Sequence, residues 1–124
     1  MWRYWESKLQ ADPPFNLAAA LDQIDGDREL FAALAKLFMT QAATDMAGIR
    51  DALAQGDSHE VMRRAHRLKG SAMQFHAAGL HESTNQLEEL ARRGAMAEAA
   101  TLAQVVEDRL ASLMEALQGV LNSA

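Results

Sequence analysis

Near the end of the chain, apolar residues recur at alternating steps of four and three. They are Ala99, Ala103, Val106, Leu110, Leu113, Leu117 and Val120. This spacing places them along one face of a single long α-helix. Because a helix with so long an apolar face is stable only when that face is covered, the segment must pack against other helices.

The same periodicity predicts a second long helix from Arg28 to about Gln55. Asp27 is suited to cap its start, and Gly56 is suited to end it. The residues expected to point inward are Leu30, Phe31, Leu34, Leu37, Phe38, Ala42, Met46, Ile49 and Leu53. This helix is long enough to form one full side of a bundle.

Three further helices complete the prediction, of which only the first is short. One begins after Asn16 and ends before Gly26, and the next begins at a capping box formed by Asp57 and Glu60 and runs to about His76. After a break around residues 76–79, a further helix ends at Arg92, Arg93 and Gly94. Its inward residues are expected to be Leu80, Thr84, Leu87, Leu90 and Ala91.

Four long amphipathic helices joined by short turns predict an all-α fold, an antiparallel four-helix bundle with a short extra N-terminal helix or helices. We assign the bundle to residues 15–121 and an N-terminal extension to residues 1–14. Trp2, Trp5 and Leu9 lie on one side of a short helix predicted in this extension. They either close one end of the bundle or form a docking site or interfacial anchor.

Composition removes several classes of function. The 124 residues suffice for one domain, and the hydrophobic content of 49% with only 6% aromatic residues favours a helical bundle. The absence of cysteine excludes disulfides, thiolate metal sites and cysteine nucleophiles. A net charge of -5 argues against nucleic acid as a partner. No apolar run is long enough for membrane insertion, so we predict a cytoplasmic protein. We also expect the protein to be a monomer.

A candidate chemical site lies on the predicted helix that follows Asp57. On a helical wheel, Val61, Ala65, Leu68, Ala72 and Phe75 form an apolar stripe, whereas His66, Lys69 and Gly70 point away from it. A neutral imidazole is a nucleophile near neutral pH. Lys69 could reach a phosphoryl group on His66, and Gly70 would leave room for a partner. The wheel alone also allows a solvated histidine beside an ordinary lysine.

Four further residues of this helix are predicted to contact a partner. They are His59, Met62, Arg63 and Met73. Methionine adapts its shape to different partners, so Met62 and Met73 would form an apolar rim beside His66 if they are exposed. The alternative is that neighbouring helices cover both methionines.

Other chemistries lack their motifs. Di-iron bundles use Glu-x-x-His pairs, and none occurs, so we predict that the chain holds no metal and that its four histidines lie at the surface. The glycine-rich loops that cradle nucleotide phosphates are also absent, so ATP binding is not expected. A metal-dependent bundle enzyme remains as a minor hypothesis, which stoichiometric metal in the purified protein would reveal.

The segment Ala65 to Ala72, AHRLKGSA, resembles the A-H-x-L-K-G-S-A signature of histidine-containing phosphotransfer (HPt) domains, the four-helix-bundle intermediates of multistep phosphorelays. Two further segments are similar to the family: Phe15-Asn16-Leu17 followed by Gly26-Asp27, and LEELARRG at residues 87–94. The resemblance extends roughly from residue 15 to residue 120. One departure is His76, which stands where the family usually has glycine, and Gly79 is expected to take over the turn.

The resemblance implies a function in two-component signalling. His66 would accept a phosphoryl group from the phospho-aspartate of a receiver domain and pass it to another receiver. Lys69 would offset the phosphoryl charge, and Gly70 would admit the incoming aspartyl phosphate. The chain would be a phosphotransfer protein rather than an enzyme, with receiver domains or a hybrid sensor histidine kinase as partners. It would hold no cofactor, since the receiver supplies Mg²⁺. The alternative is an HPt-like module that binds a receiver or another protein without carrying phosphate.

Overall fold

The computed structural model describes residues 14–123, which form five α-helices and no strand. Helix α1 spans Leu17–Asp22, α2 Arg28–Gln55, α3 Ser58–Gln74, α4 Ala78–Arg92 and α5 Met96–Ser123. Helices α2 to α5 pack in a ring in which each contacts the next and α5 returns to α2, while α1 packs on α2. The prediction of a four-helix bundle with a short extra helix is therefore confirmed. The predicted helix around Trp2 and Trp5 lies outside the described residues.

The predicted helix starts are confirmed by their capping hydrogen bonds. The side chains of Asn16, Asp27 and Asp57 each accept a hydrogen bond from the backbone N–H three residues later, at 3.0, 3.0 and 3.1 Å. These bonds satisfy N–H groups that have no partner within the helix. Gly56 ends α2 with a φ of 68°, the left-handed conformation that glycine adopts without a steric penalty.

The predicted core is largely confirmed. All seven residues of the repeat in α5 are buried, as are the five residues of the apolar stripe that begins at Val61. Leu30 and Leu37 were predicted to point inward, and this is wrong, because their exposed fractions are 42% and 65%. Each directly precedes a core phenylalanine, Phe31 or Phe38, so it lies about 100° away from the core direction.

Four phenylalanines close the end of the bundle where α1 lies. Phe75 contacts Phe31 and Phe38, with ring centroids 5.8 and 5.1 Å apart, and Phe31 in turn stacks on Phe15 at 6.4 Å. The backbone N–H of Asn16 also donates to the carbonyl of Phe75 at 3.2 Å. The start of α1 is thereby fixed to the end of α3, the helix that carries the candidate site.

The corner between α3 and α4 is made by His76. This residue has a φ of +54°, and the N–H groups of His76 and Ala77 donate to the carbonyls of Met73 and Ala72 at 3.1 and 3.2 Å. This is the hydrogen-bond pattern in which a residue in the left-handed conformation ends a helix. The expectation that Gly79 takes over the turn is wrong, because Gly79 already lies in the first turn of α4.

A buried carboxylate that sequence analysis did not single out lies between α2 and α3. Asp45 is 1% exposed, and its Oδ1 lies 3.3 Å from Nη2 of Arg67 and 3.6 Å from Nη1 of Arg64. A β-carbon at Gly48 would come within 2.7 Å of the Arg64 guanidinium, so only the absence of a side chain at Gly48 leaves room for this arginine. Asp45 lies on the apolar face of α2, between the buried residues Ala42 and Ile49. A charged residue at such a position indicates, from the sequence alone, a buried carboxylate that needs a partner.

No helix in residues 14–123 is both long enough and apolar enough to cross a membrane.

Candidate functional site

Helix α3 holds one face rigidly in the core and presents the other to solvent. Ala65 and Leu68 are fully buried on either side of His66, whose own side chain is 68% exposed. Because rigid packing fixes the inner face, the position of the imidazole is set by the helix rather than by a mobile loop. An exposed imidazole in a fixed place is accessible to a large partner.

The partner of His66 within the protein is Glu88 of α4. The imidazole Nδ1 lies 2.8 Å from Oε2 of Glu88, and Nζ of Lys69 lies 2.5 Å from Oε1 of the same carboxylate. The Glu88 side chain is only 7% exposed. One buried carboxylate therefore connects both candidate residues of α3 to the neighbouring helix.

Glu88 is ionised at neutral pH. Burial raises the pKa of its carboxyl group, but the hydrogen bonds from Lys69 and His66 and the charge attraction that accompanies them together lower it by more. The pKa of Glu88 therefore lies below its ordinary value. An ionised carboxylate only accepts hydrogen bonds, so Nδ1 of His66 must carry the proton that it donates to Glu88. In the neutral ring, Nε2 then holds an unprotonated lone pair on the side of the ring away from Glu88.

Lys69 is more enclosed than the wheel indicates. Its side chain is 20% exposed, and besides Glu88 it donates to Oδ1 of Asn85 at 3.2 Å. The ammonium group therefore lies between α3 and α4, one helical turn from His66. A positive charge held at this place is close to the imidazole and needs no large movement of the backbone to approach a group bound there.

Gly70 lies in open space. Among the described residues, no side chain and no backbone outside its own stretch of helix lies within 4 Å of the place where a β-carbon would stand. Its φ is not in the left-handed region, so neither backbone conformation nor internal packing requires glycine here. What the missing side chain leaves free is the surface next to His66.

The four residues predicted to contact a partner are only partly brought together. Met73 is 58% exposed and lies on the same flank of α3 as His66, and His59 is exposed two turns before it. Met62 is half-buried and packs against the core, so neighbouring helices cover part of this side chain. Arg63 is bound to Glu60, with its Nε 2.6 Å from Oε1 of that carboxylate.

Sequence analysis did not identify Glu88 as part of the site. A signal was present, because Glu88 lies four residues after the buried Thr84 and one after the buried Leu87, at the edge of the apolar face of α4. A carboxylate at such a position needs a cationic or hydrogen-bonding partner. That this partner is His66 or Lys69 could not be read from the sequence, because it depends on how α3 and α4 align.

The fold and the site together define a class of protein: a small helical bundle that exposes one oriented histidine on a rigid helix. The Hpt domain family model matches residues 33–119, which is most of the chain. The chain therefore belongs to the Hpt domain family, the histidine-containing phosphotransfer domains of two-component signalling. No curated protein sequence matches it.

Solved structures agree with this fold. Histidine-containing phosphotransfer protein B from Pseudomonas aeruginosa superposes with a TM-score of 0.84 at 21% identity, over 91% of this chain and 98% of that one. The HPT domain of a sensor hybrid histidine kinase from Shewanella superposes with a TM-score of 0.77 at 18% identity, over 90% of this chain and 96% of that one. At these identities the likeness establishes the arrangement of the helices.

Proposed function

We propose that the chain is a phosphorelay intermediate in which Nε2 of His66 accepts a phosphoryl group from a receiver-domain phospho-aspartate and later passes it to the aspartate of another receiver. The observation that carries this proposal is the hydrogen bond between Nδ1 of His66 and Glu88, on an imidazole that is 68% exposed. It orients the ring and, in the neutral imidazole, leaves the outward nitrogen unprotonated, which is the form that can attack phosphorus.

The step balances without a proton from solvent. The Nε2 lone pair forms the N–P bond while the bond between phosphorus and the aspartyl oxygen breaks, and the aspartate leaves as a carboxylate. The ring becomes positively charged, with its proton still at Nδ1, and the Glu88 carboxylate faces that charge at 2.8 Å in the structure. Glu88 is thus a positioning residue that also stabilises the charged ring.

Lys69 and Gly70 serve the same transfer in different ways. Phosphoryl transfer depends mainly on positioning and on the stabilisation of charge. The ammonium of Lys69 supplies positive charge one turn from His66, and Gly70 admits the partner's loops. The Mg²⁺ that such a reaction requires is expected from the receiver, and this chain is a carrier rather than a kinase. That the protein is a monomer and that it is located in the cytoplasm both remain predictions.

The proposal is tested with the purified chain and a set of receiver domains charged with radiolabelled acetyl phosphate. We expect label to move to the chain within minutes, and the bond formed to be labile in acid and stable in alkali, as a phosphoramidate is. Peptide mapping should place the label on His66. If no receiver transfers label and some nevertheless bind tightly, the chain is an interaction module and the proposal is wrong.

The role of Glu88 makes a separate prediction. Replacing Glu88 with glutamine keeps the size of the side chain but removes its charge, and the new amide can donate to Nδ1 and favour the other tautomer of His66. Positioning partners of this kind typically contribute 10-fold to 100-fold, so we expect transfer about tenfold slower in single-turnover measurements.

The matched control is Glu98→Gln, because Glu98 is an exposed glutamate of α5, which is not a neighbour of α3 in the ring of helices. Its transfer rate should equal that of the wild type. Nitrogen NMR of the His66 ring reports the tautomer directly. A Glu88→Gln protein with the wild-type tautomer and the wild-type rate would show that the carboxylate does not position the ring.

A further inference from the structure

Towards the C-terminal end of α3 from His66, a groove of about 480 Å³ opens at the corner between α3 and α4. Its walls include Met73, His76 and His81, and Gln23 from the end of α1 closes one side. We call this the corner groove. Met73 is 58% exposed, so the groove begins with an apolar side chain that no other part of the described bundle covers.

His76 is held in a conformation that disfavours a side chain. Its φ of +54° lies in the left-handed region, where a β-carbon clashes with the backbone and glycine is the favoured residue. Its side chain is exposed and makes no hydrogen bond or ion pair with any residue in the range 14–123. The imidazole therefore forms no internal bond that would offset the strain. A strained residue that does not stabilise the fold in return is a candidate for a functional role, such as contact with a partner.

The corner groove is continuous with the surface around His66. Met73 lies seven residues after His66 on the same helix, and therefore about 10 Å further along its axis. His76 lies just beyond the end of α3. Gly70, between His66 and Met73, leaves the surface open. A stable protein interface covers roughly 800 Å² of each partner, which corresponds to a disc about 16 Å in radius. A receiver footprint of this size centred on His66 covers Met73, at the mouth of the corner groove.

We propose that the corner groove receives an apolar side chain of the receiver domain, and that His76 is a specificity-determining residue that selects among receivers. This inference rests on the proposed function, because the occupant is the domain that exchanges phosphate with His66. An imidazole at the rim offers a flat apolar face and a polar edge, so it favours receivers that present a side chain of matching shape and disfavours others.

The test is the substitution His76→Gly, which removes the side chain and the strain together. We expect the melting temperature to rise by about 3 °C, since the left-handed conformation then has no steric penalty. With the preferred receiver, we expect the KM for transfer to rise about tenfold and the kcat at saturating receiver to stay unchanged, because the reacting groups are untouched. The ratio of kcat/KM between preferred and other receivers should fall by a similar factor.

Two further variants complete the experiment. Met73→Ala should also raise the KM several-fold, whereas Val105→Ala, an exposed apolar residue of α5, should leave it unchanged. A His76→Gly protein whose KM and receiver preference match the wild type would overturn the inference, and so would an equal rise in KM for Val105→Ala. If the wild-type protein accepts phosphate and the His76→Gly protein does so equally well, the proposed function is supported and the inference about His76 is wrong. If wild-type protein accepts none, both are wrong.

Discussion

His66→Gln is expected to abolish phosphoryl acceptance from every charged receiver and to leave the free energy of unfolding within about 0.5 kcal/mol of the wild type. The loss should be complete because an amide has no lone pair basic enough to form the N–P bond. The fold should persist because the side chain is 68% exposed and the glutamine amide can still donate to the buried Glu88.

Three measurements separate loss of chemistry from loss of structure. Acid-labile label after mixing with a phosphorylated receiver reports acceptance, urea unfolding reports stability, and calorimetric titration with the same receiver reports docking. We expect no label, an unchanged unfolding midpoint and an affinity close to that of the wild type. Acid-labile label on the His66→Gln protein would refute the assignment of the site.

Phe75→Ala should produce the largest loss of stability among the changes considered. Phe75 is 2% exposed and contacts Phe31 and Phe38 across the end of the bundle. Truncating a buried phenylalanine removes its transfer free energy and leaves a cavity, which together cost about 3–5 kcal/mol. Domains of this size are stable by only about 5–15 kcal/mol, so the variant should unfold at far lower urea concentration.

The control for Phe75→Ala is Leu37→Ala, since Leu37 is a large apolar residue of the same end of the molecule that is 65% exposed. Its unfolding free energy should change by no more than about 0.5 kcal/mol. Phe75→Leu should fall between the two. Equal effects of Phe75→Ala and Leu37→Ala would mean that the aromatic cluster does not carry the packing assigned to it.

Periodicity and capping residues were sufficient to predict the helices of residues 14–123. Apolar spacing identified seven buried residues of α5 and missed only Ala116 and Gly119. Asn16, Asp27 and Asp57 marked three helix starts because their short polar side chains accept hydrogen bonds from free backbone N–H groups. These are local signals. They depend on residues within one or two turns, which the sequence displays directly.

The parts of the site that escaped prediction depend on contacts between helices. Glu88 lies 22 residues after His66, and no local pattern indicates that the two meet. Leu30 and Leu37 precede Phe31 and Phe38 on α2, and which residue of each pair faces the core depends on how α2 is oriented against its neighbours. His76 escaped for a different reason: a non-glycine residue was expected to avoid the left-handed conformation, whereas the turn imposes it.

Four basic residues of α3 lie between two buried anions, one on each neighbouring helix. Arg64 and Arg67 reach Asp45 of α2, and His66 and Lys69 reach Glu88 of α4. A rotation of α3 by one residue would leave both carboxylates buried without their cations, at a cost of several kcal/mol. These two charges therefore act together with the buried apolar stripe of α3 to fix its rotational register, and with it the direction in which the histidine faces.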